Sequence, residues 1–260
     1  MIQDHKQLLK KLSNLKKHCG VVGVKSSFED EGVIFNELIK LKELCTILEI
    51  DLNIKIGGCE AKSDISNCLL LNVDSIVAPM IESSFALEKY ITTVNAVLPP
   101  QAKRKIKFFI NIESKTAYDN IGHILKSDAC RRLSGIVVGR SDLTKSFGLT
   151  KNDVNEDEIY TIVSDVFSQA KEYKLITTMG GNVSVNSIDF IGKLYNKGLL
   201  DKIETRNIMI SLDDAVLNNL ESCIIDALSF ESLWLRTKSS YYMSIGNSYL
   251  NRANILDERK

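Results

Sequence analysis

Proline is scarce in this chain. Three prolines in 260 residues, two of them adjacent at Pro99-Pro100, leave nearly all of its length free of enforced breaks. Linkers rich in glycine and serine are missing as well, and no internal repeat is visible, which argues for one large core rather than tethered modules. Neither sign of charge is in excess. Lys+Arg total 33 against 33 for Asp+Glu, and no basic stretch is interleaved with aromatics, so a nucleic-acid partner is excluded and a small substrate is expected. Apolar runs stay well short of the roughly 18 residues that cross a bilayer. The opening Met1-Ile2-Gln3-Asp4-His5-Lys6 lacks the charged-then-apolar order of a secretion signal. No membrane association and a cytoplasmic setting are the expectation. The six cysteines form no C-x-x-C pair and mostly lie in apolar contexts, which excludes a disulfide framework and a zinc site. Histidine is limited to His5, His18 and His123.

What the chain does have is alternation of two periodicities. Short β-branched runs appear at Val21 to Ser26, Leu52 to Ile56, Ser75 to Met80, Lys105 to Ile112, Gly135 to Gly139, Leu175 to Thr178 and Ile203 to Ile210. Helical spacing fills Glu31 to Leu48, Lys62 to Leu71, Ser84 to Val97, Lys115 to Leu125, Glu156 to Tyr173 and Val185 to Leu199. Strict β–α alternation predicts parallel strands joined by right-handed crossovers. An eight-fold barrel needs one strand more than these runs supply, and a doubly wound sheet fits the same alternation. Beyond the last run, the tail from Leu217 to Lys260 reads as helical with a break near Ser244 to Asn247.

Alternation within strands separates two faces. Leu52, Ile54 and Ile56 share one face and Asn53, Lys55 and Gly57 the other; Phe108, Ile110 and Ile112 oppose Phe109, Asn111 and Glu113; Gly23, Lys25 and Ser27 share a face. In a barrel the apolar faces pack on helices, so the polar set points inward, where an unpaired charge costs several kcal/mol. Two acids then stand out. Glu113 closes its strand-like run, and Asp142 follows Gly135-Ile136-Val137-Val138-Gly139. On neighbouring parallel strands they would sit at carboxyl ends about 5 Å apart in the sheet direction, which suits a shared hard cation. The structural reading of the same residues is a carboxylate capping the next helix. Gly57-Gly58 and Gly180-Gly181-Asn182 suit either close approach of a ligand to backbone or simple turn geometry.

Four segments carry a family likeness. Gly139-Arg140-Ser141-Asp142-Leu143, followed by Phe147-Gly148, resembles the G-x-x-D-L…L-G metal motif of the HpcH/HpaI aldolase and citrate lyase beta-chain family, and Ile112-Glu113-Ser114 its I-E-T/S strand end. Ile54-Lys55-Ile56-Gly57-Gly58 is similar to its V-R-I/V segment, and Val77-Ala78-Pro79-Met80-Ile81-Glu82-Ser83 to its I-V-x-P-K/M-V-E-S segment. The resemblance implies a TIM (β/α)8 barrel of the phosphoenolpyruvate/pyruvate type over residues 1–216, with a C-terminal helical extension over 217–260. It also implies a metal-dependent carbon–carbon lyase, or aldolase, acting on a 2-oxo acid such as a pyruvate-derived aldol. By the same likeness Glu113 and Asp142 hold Mg²⁺ or Mn²⁺, and backbone N–H groups of Gly139, Arg140 and Ser141 receive the substrate carboxylate. Lys55 stands where the family has an arginine that contacts substrate oxygens; a lysine offers a point charge instead of a fork.

The departures shape the alternatives. The pyruvate-aldolase branch uses a histidine base near an early strand end, and none of the three histidines has such a place. Phe28-Glu29-Asp30-Glu31 resembles the D-L-E-D of the citrate-lyase branch, which makes Glu29 or Glu31 a candidate for orienting water or a lysine; an acidic helix start is the structural reading. In the last strand-like run, Glu204-Thr205-Arg206 reads as inward, outward, inward, and a structural salt bridge from Arg206 across the barrel is expected. Lys25 and Lys55, side by side on the inner wall, suggest a Schiff-base aldolase as a second function. A third is a non-catalytic protein that binds a small acid or docks a partner. The tail keeps Leu220, Ile224, Leu228, Leu233, Trp234 and Leu235, then Leu250, Ile255 and Leu256, which either fold back on their own barrel or pack on a neighbouring subunit; the resemblance implies the second, because family members exchange such helices, and a homo-oligomer with Trp234, Tyr241 and Tyr242 near the contact is expected.

Overall fold

The computed structural model describes residues 2–29 and 33–260. Eight strands close into a barrel in sequence order: β1 (Val21–Ser27), β2 (Asp51–Lys55), β3 (Ser75–Ala78), β4 (Lys107–Ile112), β5 (Gly135–Gly139), β6 (Ile176–Gly180), β7 (Lys202–Glu204) and β8 (Ile208–Ser211). Around them lie α1 (Ile2–His18), α2 (Phe35–Leu48), α3 (Lys62–Leu70), α4 (Ser84–Val97), α5 (Pro100–Lys105), α6 (Lys115–Asp119), α7 (Ile121–Lys126), α8 (Arg140–Ser146), α9 (Asp157–Glu172), α10 (Ile188–Asn196), α11 (Asp214–Leu217) and α12 (Leu220–Asp257). The TIM-type barrel with a C-terminal helical extension is therefore the fold. No helix of the described residues is long and apolar enough to cross a membrane.

The missing eighth strand lies inside the run expected as one strand from Ile203 to Ile210. Neighbours from β1 to β7 pair in parallel, whereas β8 runs antiparallel to both β7 and β1. A hairpin takes the place of the final crossover, which would need a dozen or more residues. Thr205 closes it: its N–H donates to the Ile208 carbonyl (2.9 Å) and its hydroxyl accepts from the Ile208 N–H (3.2 Å). Asn207 ties the turn to β1, accepting from the Lys25 N–H at 2.8 Å and donating its side-chain amide to the Lys25 carbonyl at 3.1 Å.

Alternation places the core as the sequence suggests. Ile54, Ile76, Phe108, Ile110, Ile112, Ile136 and Val138 pack outward against helices in the main core. The alternate residues Val77, Phe109 and Val137, with Ile176, form a separate apolar cluster on the inner face. That inner filling stops short of β1, β2 and β7, whose inward positions are Lys25, Asn53, Lys55 and Glu204. Turn chemistry aims the strand ends: Ser83 caps α4 by accepting from the Ala86 N–H, and Ser114 caps α6 by accepting from Ala117, both at 3.1 Å.

The tail differs from its expected form. α12 is one unbroken helix of 38 residues, running straight through Ser244 to Asn247; Gly246 costs a helix about 1 kcal/mol but does not stop it without a cap or proline. Its first half buries Cys223, Ile224, Ala227, Phe230 and Trp234 in the same core as Leu8, Leu12 and Leu15 of α1. Buried Glu37 of α2 then clamps it, accepting from the Tyr242 hydroxyl (2.6 Å) and pairing with Lys238 (3.0 Å), while the Lys40 ammonium lies 4.3 Å from the Tyr241 ring. Trp234 and both tyrosines thus pack within their own chain. From Met243 onward the helix stands away from the barrel, with Tyr249 and Leu250 exposed.

Gly135 marks the tightest point of the inner wall. A Cβ there would lie 2.3 Å from the Ile176 carbonyl oxygen and 2.6 Å from the Phe109 ring. Gly135→Ala should cost about 1–3 kcal/mol in urea unfolding, the usual penalty for overpacking; unchanged stability would show that β5 and β6 are not packed this closely.

Candidate active site

The carboxyl ends of the parallel strands open into a cavity of about 440 Å³ lined by Lys25, Lys55, Glu113, Asp142, Glu204 and Arg206, among others. Glu113 follows β4 and is 3% exposed. One carboxylate oxygen accepts from the Met80 N–H (3.0 Å), the other from the Asn111 amide (2.8 Å), and Lys55 Nζ lies 3.6 Å from the latter oxygen. Met80 takes a left-handed conformation, φ 50°, at this point of contact. The carboxylate lies across Gly139, where an added Cβ would come within 2.8 Å of Oε2. Helix capping does not explain Glu113, because Ser114 holds that position.

Asp142 is in the first turn of α8, half-exposed, and pairs with Lys145 at 3.2 Å. It makes no side-chain cap of its own helix. Both expected metal ligands therefore reach the same cavity from adjacent strand ends. Among the described residues, no three His, Cys, Asp or Glu side chains converge as a ready metal cluster.

Lys55 ends β2 and bridges two carboxylates, Glu29 at 2.8 Å and Glu113 at 3.6 Å. Burial works against its charge, but Glu113 and then Glu29 outweigh it and hold the pKa above the ordinary lysine value. That direction favours the ammonium over the free amine that a Schiff base needs. Glu29 is thus a partner of Lys55 on the loop after β1; the other acidic candidate there, Glu31, lies outside the described residues.

Arg140 was expected to offer its backbone N–H, and its side chain has a separate, structural place. Its side chain is fully buried beneath the mouth, donating to the carbonyls of Gly180, Gly181 and Val154, to Asn155 Oδ1 (2.8 Å) and to Ser187 Oγ, with the guanidinium 4.8 Å from the Phe190 ring. All these acceptors are neutral, and burial pulls the guanidinium down to about 9. The side chain holds the loops that follow β5 and β6, and it cannot contact substrate. Gly139 and Ser141 do line the cavity. Gly181, at φ 81°, packs directly on the backbone nitrogens of Arg140 and Ser141, and the Gly57 N–H is taken by Asp64 at 2.7 Å, so the glycines serve turn geometry.

Two features were not read from the sequence. Lys25 and Glu204, from β1 and β7, form an ion pair inside the barrel, with side chains 14% and 2% exposed. Arg206, at the hairpin tip, faces Glu231 of α12; burial raises the Glu231 pKa and Arg206 opposes the rise. Inward alternation flagged Lys25, Glu204 and Arg206 singly, but the pairing depended on the hairpin.

The fold and this acidic strand-end site define an α/β-barrel protein with its chemistry at the carboxyl ends of the strands. Residues 58–184 match the HpcH/HpaI aldolase/citrate lyase family model, a stretch that holds Glu113, Gly139 and Asp142. The match spans just under half of the chain. No curated protein matches the chain in sequence. Among solved structures it is similar to citrate synthase SbnG (TM-score 0.61, 15% identity, 86% of this chain and 90% of that one). It is also similar to the HpcH/HpaI aldolase from Desulfitobacterium hafniense DCB-2 (0.60, 13%, 81% and 85%) and to an HpcH/HpaI aldolase/citrate lyase family protein from Burkholderia cenocepacia J2315 (0.59, 12%, 84% and 90%). At these identities the likeness is one of fold.

Lys55 and Glu113 should be energetically coupled. A double-mutant cycle of Lys55→Met and Glu113→Gln in urea unfolding is expected to give an interaction of about 0.5–3 kcal/mol. Additivity would show that Lys55 spends its attraction on Glu29 alone.

Proposed function

We propose that this protein is a divalent-metal-dependent carbon–carbon lyase that acts in the cytoplasm on a 2-oxo acid through an enolate. The observation that carries the reading is the opening of Glu113 and Asp142 into one cavity beside a buried lysine. The donor set suits the group. A carboxylate offers about four lone-pair positions, and the two N–H donors at Glu113 leave capacity for a cation. Two carboxylates completed by water and substrate oxygens match what Mg²⁺ or Mn²⁺ prefers. When bound, such a cation would supply Lewis-acid stabilisation of the enolate.

The chain's own residues do the rest. Met80 and Asn111 fix the orientation of Glu113, and Arg140 holds the loops that present Gly139, Ser141 and Asp142. Lys55, kept protonated by its two carboxylate neighbours, supplies a positive charge to a substrate carboxylate or carbonyl oxygen. Glu29 steadies Lys55 from the outer side.

The test is exchange of pyruvate methyl protons in D₂O, followed by NMR with Mg²⁺ or Mn²⁺. Glu113→Gln and Asp142→Asn should each abolish metal-dependent exchange while circular dichroism stays unchanged. Exchange that persists undiminished in chelator would contradict the metal role, and a borohydride-trapped lysine adduct would favour the Schiff-base reading.

Assembly belongs to the same proposal. Tyr242, Tyr249, Ala253 and Leu256 fall on one side of the projecting part of α12, by helical spacing. A second copy of this chain is the proposed cover for that apolar face, giving a homo-oligomer. Truncation after Tyr242 spares the Glu37 clamp, so light scattering should report a folded protein with fewer subunits than the full chain; an unchanged subunit number would remove the tail from assembly.

A further inference from the structure

The cavity described above lacks a histidine, and the groups already assigned there are occupied. Glu113 and Asp142 form its acidic wall, Lys55 is bound between two carboxylates, and Arg140 is sealed below. Two ionisable pairs of the cavity have no part in that scheme, Arg206 with Glu231 and Lys25 with Glu204, and the second is the more buried. Both line the cavity, and both come from outside the stretch that matches the family model.

Their placement is specific. Lys25 sits in mid-strand on β1, with its backbone N–H and carbonyl both bound to Asn207. Glu204 ends β7 and lies over Gly180, where a Cβ would come within 2.8 Å of Oε1 and 3.0 Å of Cγ. Its Oε1 is the oxygen that meets Lys25 Nζ. Its Oε2 is buried and has no hydrogen-bond partner. A carboxylate with one oxygen on an ammonium and the other without a donor keeps an unused acceptor position behind the wall of the cavity. Lys25 is the more exposed of the two, so the ammonium faces the cavity and the carboxylate stands behind it.

We propose that the Lys25–Glu204 pair is the proton-transfer group of this site, taking a proton from a 2-oxo acid substrate and returning it to C3. The inference rests on the lyase reading above. In the cleavage direction, a proton of the Lys25 ammonium passes to Glu204, which frees the amine lone pair. That lone pair takes the proton of the substrate's C4 hydroxyl. The O–H electrons become the carbonyl π bond of the departing aldehyde, and the C3–C4 electrons pass into the enolate. Lys25 then delivers a proton to C3 and recovers the one lent to Glu204, so the pair ends as it began. Lys25 is the group that touches substrate, and Glu204 is the positioning and proton-accepting residue behind it.

The test compares Lys25→Arg and Glu204→Gln with the full wild-type chain. Arginine keeps the positive charge and its carboxylate partner but gives up no proton near neutrality, and glutamine keeps a hydrogen bond to Lys25 but takes no proton. Two readouts are needed: Mg²⁺-dependent exchange of pyruvate methyl protons in D₂O, and calorimetric binding of oxalate with Mg²⁺, which needs no proton transfer. The expected result is exchange slowed about 100-fold or more in each variant, within the range general acid–base groups contribute, with oxalate affinity unchanged. Wild-type exchange in either variant overturns the proposal. So does loss of oxalate binding in parallel with exchange, which would mark the pair as structural, and so does borohydride trapping of pyruvate on Lys25. Absence of both exchange and oxalate binding in the wild type would instead bring down the lyase reading, and this inference with it.

Discussion

Charge inside a closed β-barrel is the constraint on which the rest of this structure turns. Lys25, Lys55, Glu113 and Glu204 all point inward from strands whose other faces are packed against helices, and none has more than a small fraction of its side chain in solvent. Left alone, each would cost several kcal/mol of desolvation. The barrel therefore matches them two by two, Lys25 with Glu204 and Lys55 with Glu113, and the surrounding backbone is adapted to hold the acids. Gly139 makes room for one carboxylate and Gly180 for the other, in corresponding places on adjacent strands that are register partners. Met80 takes a left-handed turn at the same place where it donates to Glu113.

Much of this was legible in the sequence because barrels obey two periods that are hard to disguise. The outward set Phe108, Ile110 and Ile112 and the inward set Phe109, Asn111 and Glu113 follow from alternation alone, and their separation into two apolar clusters bears that out. The eighth strand was not legible. Residues Ile203 to Ile210 keep strand-like alternation through the turn, with no glycine or proline to mark it, and only the pairing of Thr205 with Ile208 folds the run back on itself. Lys25 and Glu204 were each visible as inward charges, but they are distant in sequence and meet only because β7, β8 and β1 close the barrel. Arg140 entered the sequence reading only through its backbone N–H, and nothing local shows that its fork is consumed by acceptors from the two loops that follow β5 and β6. The tail misled through Gly246, which suggests a break that an otherwise continuous helix absorbs.

The two halves of the cavity have different standing. Glu113, Gly139, Asp142 and Gly180 lie within residues 58–184, the stretch that matches the HpcH/HpaI aldolase/citrate lyase family model. Lys25, Lys55 and Glu204 lie outside it, on the strands that complete the barrel from both ends of the sequence. The acidic end of the site thus belongs to the matched stretch, whereas the lysine-bearing wall belongs to the flanking strands, where the antiparallel β8 closes the sheet. A barrel that trades its last crossover for a hairpin keeps the same carboxyl-end mouth while placing different groups at one side of it.

The account stands or falls on whether Glu113 and Asp142 jointly hold a cation in contact with a 2-oxo acid. A crystal grown with Mn²⁺ and oxalate, with anomalous differences measured at the manganese edge, tests this directly. The account predicts one strong peak within coordination distance of both carboxylates, with oxalate bound to it and Lys55 turned toward an oxalate oxygen. A peak elsewhere, or oxalate seated in the cavity with no metal between those two residues, would contradict it.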